Sequence, residues 1–573
     1  MPSPRMVLVA MRAVVAVLLF VTFAHAALWG ILQEKQEAPD FKGLLTSVSY
    51  APFEGTAHPD VDNIPTVENI RSDMKVLARL TRAIRLYSST GGVELVPPIA
   101  NEFGLKVMVG AWIDKHVDRN EREMLAAIDL AKHNSNVNGV VVGNETIYRG
   151  DQKVDDLIKL IQRVKSSVNV PVTTGEIWNI WLEHPELASS VDFIAAHILP
   201  YWEGFSSKQA VDQALIIYQK LRDAFPGKRI VIAEFGWPSA GYNLKNADPG
   251  PFQQAVTLRN FVTKAESIGM EYNIVEAIDQ PWKFFEGGVG PYWGVLNADR
   301  EPKFSWTGPV VDQDYWKLAG IALLIGILLS LPILRLVHPT VMQALLLSAA
   351  ANGVGAWVAT VFAYWTGHYF VFGSAFALTL GLTLLVPLIL IAMARIEEIA
   401  AIAFGRAPRR LLGRGAVAAA ATTDTPVPKV SIHVPAYFEP PEMLKQTLDA
   451  VARLDYPNFE CVVIINNTPD PAFWQPIQDH CRALGERFKF INAEKVQGFK
   501  AGALRIAMER TAADAEIIGI IDADYVVQPD WLKDLVPAFK DPRVGLVQAP
   551  QDHRDGDRSL MHYVMNGEYA GFF

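Results

Sequence analysis

The chain has 573 residues, half of them hydrophobic, and a net charge of −9. That length exceeds what one core serves and calls for roughly three or four domains, with an apolar content that fits folded domains diluted by membrane spans. The acidic balance excludes the basic footprint of a nucleic-acid partner, and with Cys461 and Cys481 as the only cysteines, an exported N-terminal part stands without disulfides.

Residues 1–32 open the chain with an apolar run over 7–32, preceded by Arg5 and interrupted by Arg12, the arrangement of a signal peptide or a signal anchor. Ala24-His25-Ala26 offers a cleavage site, but apolar residues continue to Leu32, which favours an uncleaved transmembrane helix. Residues 33–313 come next as one domain. Short β-branched runs near Ser47, Ala83, Val107, Val141, Val172, Ile194, Val231 and Val275 alternate with helical periodicity, as over 154–165, where Leu157, Leu160, Ile161 and Val164 share a face. Eight such strands in a domain of this size have the dimensions of an α/β fold of the (β/α)8 TIM-barrel type.

Chemistry in such a barrel belongs at the C-terminal ends of the strands. Glu145 closes the run Val140-Val141-Val142-Gly143-Asn144, and Glu234 closes Ile230-Val231-Ile232-Ala233, which assigns them to strands four and seven. Two carboxylates facing each other across a barrel mouth are what glycosidic cleavage needs: one protonates the leaving oxygen while the other attacks C1 or activates water. A single strand-end Glu is better read as a surface or capping group; the pair in this placement is not. Trp178, Trp181, Trp202, Trp237 and Trp282 fall at or after strand ends, where flat rings stack on sugar faces. Trp202 and Trp282 are the best platforms, and Trp237 is better placed to support the Glu234 strand. His197 reads as a hydrogen-bonded wall residue, and the barrel shows no metal-ligand spacing and needs no cofactor.

Residues 314–395 hold three apolar runs, at 316–337, 341–365 and 369–394, each long enough to cross a bilayer. Arg395, Arg406, Arg409, Arg410 and Arg414 stand after the last run, so the positive-inside rule makes the chain beyond residue 394 cytoplasmic and the 33–313 domain extracytoplasmic. Residues 396–428 form a basic interfacial stretch and an Ala/Thr/Pro linker. From 429 to 573, strands at 430–435, 461–465 and 517–521 and a helix at 442–454 begin a Rossmann-like, doubly wound α/β sheet. Cys461 lies in a strand-like apolar run and reads as packing. The third strand ends in Asp522-Ala523-Asp524, an acidic pair suited to a divalent cation that neutralises a diphosphate.

The motifs resemble two families. Val142-Gly143-Asn144-Glu145, Glu234-Phe235-Gly236-Trp237-Pro238 and Trp293-Gly294-Val295-Leu296-Asn297 before Pro302-Lys303, with Arg85-Leu86-Tyr87 and Pro200-Tyr201, resemble the family 17 glycoside hydrolases, β-1,3-glucanases and β-1,3-glucanosyltransferases. The resemblance implies a retaining mechanism on β-glucan, with Glu145 as acid/base, Glu234 as nucleophile and Asn144 on the sugar 2-OH. Tyr87, Tyr201, Trp202, Trp237, Gln280, Trp282 and Lys283 become expected substrate contacts; Gln280 stands where relatives often carry Glu. Val430-Ser431-Ile432-His433-Val434-Pro435-Ala436-Tyr437, Leu454-Asp455-Tyr456-Pro457, Lys500-Ala501-Gly502-Ala503-Leu504 and Asp522-Ala523-Asp524 resemble the processive family 2 glycosyltransferases, which are of the GT-A type.

This second resemblance implies a UDP-glucose donor held by Pro435, Tyr437, Asn466, Lys500 and Asp522, with Mg2+ or Mn2+ on Asp522 and Asp524. Asn466-Asn467-Thr468 stands where many relatives carry a uracil-reading Asp, and the later motifs of that family do not appear before Phe573, so the transferase is expected to be truncated and its activity in this chain doubtful. The architecture as a whole resembles bacterial cyclic β-(1,3),(1,6)-glucan synthases, which implies a place in a bacterial inner (plasma) membrane with the barrel extracytoplasmic and the transferase cytoplasmic. Alternatives are a glucosyltransferase acting on diacylglycerol, a membrane-lipid acceptor, and a barrel that binds glucan without cutting it.

Overall fold

Eight parallel strands succeed one another around a closed barrel: β1 (Val48–Ser49), β2 (Ala83–Arg85), β3 (Lys106–Ala111), β4 (Val137–Asn144), β5 (Val172–Ile177), β6 (Ile194–His197), β7 (Ile230–Phe235) and β8 (Glu271–Ile274). This arrangement comes from a computed structural model of the chain that describes residues 4–54, 64–336, 339–404, 427–549, 551, 553–563 and 565–566. The eight expected strands are all present; the one sought near Val275 ends at Ile274. Their β-branched residues suit a pleat buried on both faces, as parallel sheets require. The outer helices turn one stripe inward. On Val154–Lys165 that stripe is the buried Leu157, Ile161 and Val164, as the periodicity indicated.

The chain folds as two compact units, Met1–Glu397 and Glu398–Phe573. In the first, the two ends of the barrel are tied together. Gln36 pairs with Val310 in an antiparallel bridge. Arg259, its guanidinium buried, donates to the carbonyls of Ala38, Pro39 and Gly308 at 2.7–2.8 Å, so one side chain satisfies both strands of chain leaving the barrel.

Four helical segments, Met11–Leu32, Tyr315–Arg335, Val341–Gly367 and Phe372–Ala401, are long and apolar enough to cross a membrane. The first three meet through small and polar residues: Ala322, Gly326, Ser348, Ala351 and Gly355 are buried, and His25 Nδ1 lies 2.9 Å from Asn352 Oδ1. The run expected to start at residue 369 becomes helical at Phe372. That helix extends to Phe404, past the expected end at 394. Of the interfacial and linker segment, residues 405–426 lie outside the described residues.

The second unit is built on a parallel four-stranded sheet of order β11-β10-β9-β12: β9 (Lys429–Ala436), β10 (Phe459–Asn466), β11 (Phe488–Ala493) and β12 (Ala515–Ile520). The expected 442–454 helix runs Pro441–Ala452. β11 was not foreseen. It is an edge strand, mostly half-buried, and lacks the continuous apolar run that marks its neighbours. Cys461 and Cys481 are both buried in this core, the packing role expected for the first. Strand order reverses between β9 and β12, the crevice where such sheets bind ligands.

Candidate active sites

In the barrel, β4 delivers Asn144 and Glu145. Gly143 at φ 83° and Glu145 at φ 53° both lie in the left-handed region, so the strand turns sharply and aims the carboxylate into the mouth. From the opposite side β7 delivers the buried Glu234. Glu145, His197 and Glu234 each bring one polar atom within 4.8 Å of the others. His197, at the end of β6, stands between the carboxylates: its Nδ1 is 2.9 Å from Glu145 Oε1 and its Nε2 3.5 Å from Glu234 Oε1.

Arg85, at the end of β2, organises the floor. One guanidinium nitrogen, Nη1, donates to Glu234 Oε1 at 3.0 Å and to the Ala233 carbonyl at 2.7 Å; the other, Nη2, donates to Asn144 Oδ1 at 2.7 Å. The Tyr87 hydroxyl also donates to Glu234 Oε1, at 2.9 Å. Such close packing needs Gly175 on β5, where a Cβ would come within 2.8 Å of both Arg85 Nη2 and His197 Nε2.

Burial alone would raise the Glu145 carboxyl, but the His197 hydrogen bond, helped by the charges of His197, Arg149 and Arg85, holds it below the usual carboxylate range. Glu176, at the end of β5, has the opposite fate. Burial pushes it up to about 7 against the backbone N–H groups of Ile147 and Tyr148, which it accepts. Tyr87 is raised well above its ordinary value by burial and then by the Glu234 charge, so it stays a neutral donor.

The segment after β8 lines the mouth. Asp279, buried, accepts from the Gly294 N–H and from Lys303 Nζ, both at 2.8 Å. Gln280 Oε1 accepts from the Trp282 indole N–H at 2.7 Å, and Lys283 Nζ pairs with the buried Glu276 at 2.9 Å. Burial opposes the charge of Lys283, yet Glu276, Glu286 and Glu234 together hold its ammonium above the ordinary value.

In the second unit, Asp522 and Asp524 come after β12 and Tyr437 after β9. Lys500, near the start of the Phe499–Glu509 helix, pairs with Asp522. Burial, then Asp524 and Asp522, raise the carboxyl of Glu439. Carboxylate oxygens are the donors a divalent cation takes, and it would relieve their repulsion, but among the described residues these three do not converge as the polar atoms of Glu145, His197 and Glu234 do.

Residues 47–294 match the family model of the BtgE/BtgC glycoside hydrolase domain, and residues 431–572 match that of glycosyl transferase family 2. The chain joins a glycoside hydrolase domain to a glycosyltransferase domain. Among similar proteins, the glucan endo-1,3-beta-glucosidase btgC of Emericella nidulans is 27% identical over 291 residues, 45% of this chain and 44% of that protein. The probable glucan endo-1,3-beta-glucosidase btgC of Aspergillus clavatus is 30% identical over 299 residues, 46% of this chain and 43% of that one. The match thus spans less than half the length of these relatives. Among solved structures, the family 17 beta-1,3-glucanosyltransferase from Rhizomucor miehei is 28% identical with a TM-score of 0.41, covering 45% of this chain and 95% of that one.

Of the residues singled out from sequence, the hydrolase barrel gathers Glu145, Glu234, Asn144 and Tyr87 into one hydrogen-bonded cluster. Trp202, 38% exposed and stacked on Trp293, presents a ring, and Trp282 is partly exposed beside Lys283. Three of the expected substrate contacts are buried, with their polar atoms engaged by the protein. Tyr201 is fully buried, ringed by Trp202, Trp237 and Trp293, and its hydroxyl is spent on the Tyr242 carbonyl at 2.6 Å. Trp237 is fully buried with its indole N–H on the Asp248 carbonyl, the supporting role that its place beside Glu234 also suggested. Gln280 is buried, its Nε2 donating to the Ile278 and Ala51 carbonyls and its Oε1 accepting from Trp282, so it shapes the wall from behind.

Sequence reasoning placed Arg85 in a family motif without giving it a role, and read His197 as a hydrogen-bonded wall residue without foreseeing that it stands between the two carboxylates. A charged residue at the end of the apolar strand Ala83–Arg85 was the available signal for the first. In the transferase domain, Tyr437 is 58% exposed and Lys500 meets Asp522, whereas Asn466 is buried at the end of β10 and Pro435 pairs within the sheet opposite Ile464. The turn beside Asn466 is made instead by Asn467, whose side chain both accepts from and donates to the Val496 backbone. Asn466 and Pro435 therefore shape the edge of the crevice from behind.

Proposed function

We propose that the chain serves β-glucan synthesis and remodelling at a bacterial inner membrane, the barrel as a retaining β-1,3-glucan hydrolase or transglycosylase outside and the second domain as a UDP-glucose-dependent transferase inside. The observation that carries the barrel's part is the carboxylate pair, whose nearest oxygens lie within 4.8 Å across His197; retaining glycosidases need carboxyls only about 5 Å apart, whereas inverting ones need room for a water between them. The (β/α)8 mouth and the glucanase relatives support the substrate class. Arg residues after the last apolar run support the orientation.

In this reading Arg85, Tyr87 and His197 engage Glu234 Oε1, which leaves Oε2 to attack the anomeric carbon. As the C1–oxygen bond breaks, Glu145, in the protonated form that its low pKa confines to lower pH, gives its proton to the departing sugar oxygen. Glu145, now a carboxylate, then takes a proton from an acceptor hydroxyl, which attacks C1 and releases Glu234 from the glycosyl ester. Water as acceptor gives hydrolysis and a second glucan gives transfer; Trp202 and Trp282 supply faces for the sugar rings. Asn144, already fixed by Arg85, donates its amide to the sugar 2-OH.

In the transferase domain Asp522 and Asp524 would hold Mg2+ or Mn2+, which supplies neutralisation of a leaving diphosphate when bound. Lys500 adds a positive charge beside them, and the exposed Tyr437 offers a ring to the base.

The barrel's part is tested by incubating the full chain with a linear β-1,3-gluco-oligosaccharide and following the anomeric configuration of the first product by NMR. A β-anomer is expected, and an α-anomer overturns the retaining assignment. Binding of UDP-glucose in the presence of Mn2+, measured by calorimetry and lost in Asp522→Asn, tests the transferase part; no binding, or binding indifferent to Asp522, overturns it.

A further inference from the structure

The turn between the helices Val341–Gly367 and Phe372–Phe404 reaches onto the barrel. Tyr369 is its contact residue. The Tyr369 hydroxyl donates to Asp279 Oδ2 at 3.0 Å and accepts from the Ala298 backbone N–H at 2.9 Å, so both of its hydrogen-bonding roles are used. Its own backbone N–H donates to the Tyr292 hydroxyl at 2.9 Å, and the two rings stack with centroids 5.3 Å apart and planes 19° from parallel. His368 adds an edge contact to Tyr292.

These partners bracket the segment that lines the mouth. Asp279 stands at its start and Tyr292 at its end, and the Gln280 N–H donates to the Pro291 carbonyl across the loop's neck. Lys303 and the Gly294 N–H occupy Asp279 Oδ1, which leaves Oδ2 to Tyr369. A displacement of Asp279 passes at once to Gln280, and through its Oε1 to the indole N–H of Trp282. Lys283 is next along the chain, close enough to feel the charge of Glu234.

We propose that Tyr369 is a positioning residue for the sugar-binding wall after β8, so that the turn between the last two membrane-length helices belongs to the barrel's catalytic architecture. The proposal rests on the glucan reading above. A contact made only to dock the helices would need apolar surface; here a buried carboxylate already holding both ends of the loop receives a further donor that nothing else in the barrel supplies among the described residues. The phenol is neutral, because burial and the Asp279 charge raise it far above its ordinary value, so the donation persists across the working pH range. Trp282 then keeps a fixed face for an incoming sugar, which matters more to a glucan acceptor than to water. The membrane part of the chain thereby biases the barrel toward transfer.

The test uses the full chain in lipid nanodiscs with a linear β-1,3-gluco-oligosaccharide, scoring KM, kcat and the ratio of elongated to hydrolysed products. Tyr369→Phe keeps the stack and removes the hydroxyl: KM is expected to rise about fivefold with kcat held within about twofold, and the transfer ratio to fall. His368→Ala, which removes an edge contact to Tyr292 without touching Asp279, should leave all three unchanged. A purely docking role would lower the thermal midpoint and move none of the three. Wild-type KM and transfer ratio in Tyr369→Phe, or the same shift in His368→Ala, overturns the proposal; a wild-type chain inert on the oligosaccharide overturns the glucan reading beneath it.

Discussion

The two candidate sites solve the problem of holding carboxylates close together in different ways. In the barrel, Glu145 and Glu234 are locked by a buried network of Arg85, Tyr87, His197 and Asn144, drawn from the ends of β2, β4 and β6. In the transferase domain, Asp522 meets Lys500 in a pair with both side chains well exposed, and Asp524 and Glu439 are left to repel one another. On the proposed reading, a site that attacks with its own side chain needs a fixed nucleophile before substrate arrives, whereas a site that would take up a cation and a diphosphate gains from carboxylates that remain open. Pre-organisation, on this comparison, tracks the reaction: it is complete where the protein supplies the reacting atoms.

The comparison breaks first at the carboxylates. Glu234→Gln and Glu145→Gln should each lower kcat on β-1,3-gluco-oligosaccharides by several orders of magnitude, about 1,000-fold or more, while circular dichroism stays unchanged. Near-normal product release from either variant removes it from the mechanism. A smaller but still large effect is expected at Gly175, where an added methyl meets Arg85 and His197 rather than open space. Gly175→Ala should cost about 1–3 kcal/mol of stability and at least tenfold in kcat/KM, since the floor of the site must shift to admit it. Wild-type unfolding and kinetics together would show that the network is looser than its distances indicate.

His197 sharpens the comparison through pH. A general acid works only while protonated, so activity falls as pH rises through its pKa. His197 holds the Glu145 carboxyl below its usual range, and its removal leaves burial, which raises that carboxyl, less opposed. In His197→Leu the alkaline limb of kcat/KM should therefore move to higher pH. A limb that stays or moves down contradicts the assigned acid. The smallest effect belongs to the exposed pair: Lys500→Ala should change unfolding free energy by no more than about 0.5–1 kcal/mol, because water screens both partners. It should nonetheless weaken nucleotide-sugar binding, measured by calorimetry with UDP-glucose and Mn2+. A stability loss comparable to that of Gly175→Ala would mean that the transferase site is as locked as the barrel's.

The legibility of the two sites in the sequence obeys the same divide. Glu145 and Glu234 were readable because a β-branched run announces a strand, and its last residue in a barrel has a known destination. The roles of Arg85 and His197 were less legible: Arg85 on β2 reaches Glu234 on β7 and Asn144 on β4 only across the closed barrel, and His197, though it lies beside Glu234 on the neighbouring strand, meets Glu145 only through the turn after β4. Tyr201, Trp237 and Gln280 show the limit from another side. Position after a strand end places a residue near the mouth, but which way a loop side chain turns depends on neighbours such as Tyr242, Asp248 and Trp282, far away or unordered by any period. β11 escaped notice for lack of a continuous apolar run, and Tyr369 was hidden inside one that read as wholly part of a span. In the second domain Tyr437, Asp522 and Asp524 do stand just beyond strand ends, as a doubly wound sheet places them, whereas Lys500 stands on a helix and Asn466 and Pro435 lie within the sheet.

One seam of the barrel is slight. β1 has two residues, and it meets β8 through the single register pair Val48 with Ile274. A polymer closing on itself there must bring together segments more than two hundred residues apart, the slowest kind of contact for a free chain to find. This chain does not search freely, because the helices at the two barrel ends clasp one another: the Tyr315 hydroxyl donates to the Trp29 carbonyl at 2.6 Å and the two rings meet edge to face. Once that clasp forms, the loop left to close is short in effect, and the local concentration of β1 at β8 rises accordingly. The helices thus act on the barrel as a ring closure does on a peptide, and a barrel expressed without them should fold more slowly than its contacts alone would suggest.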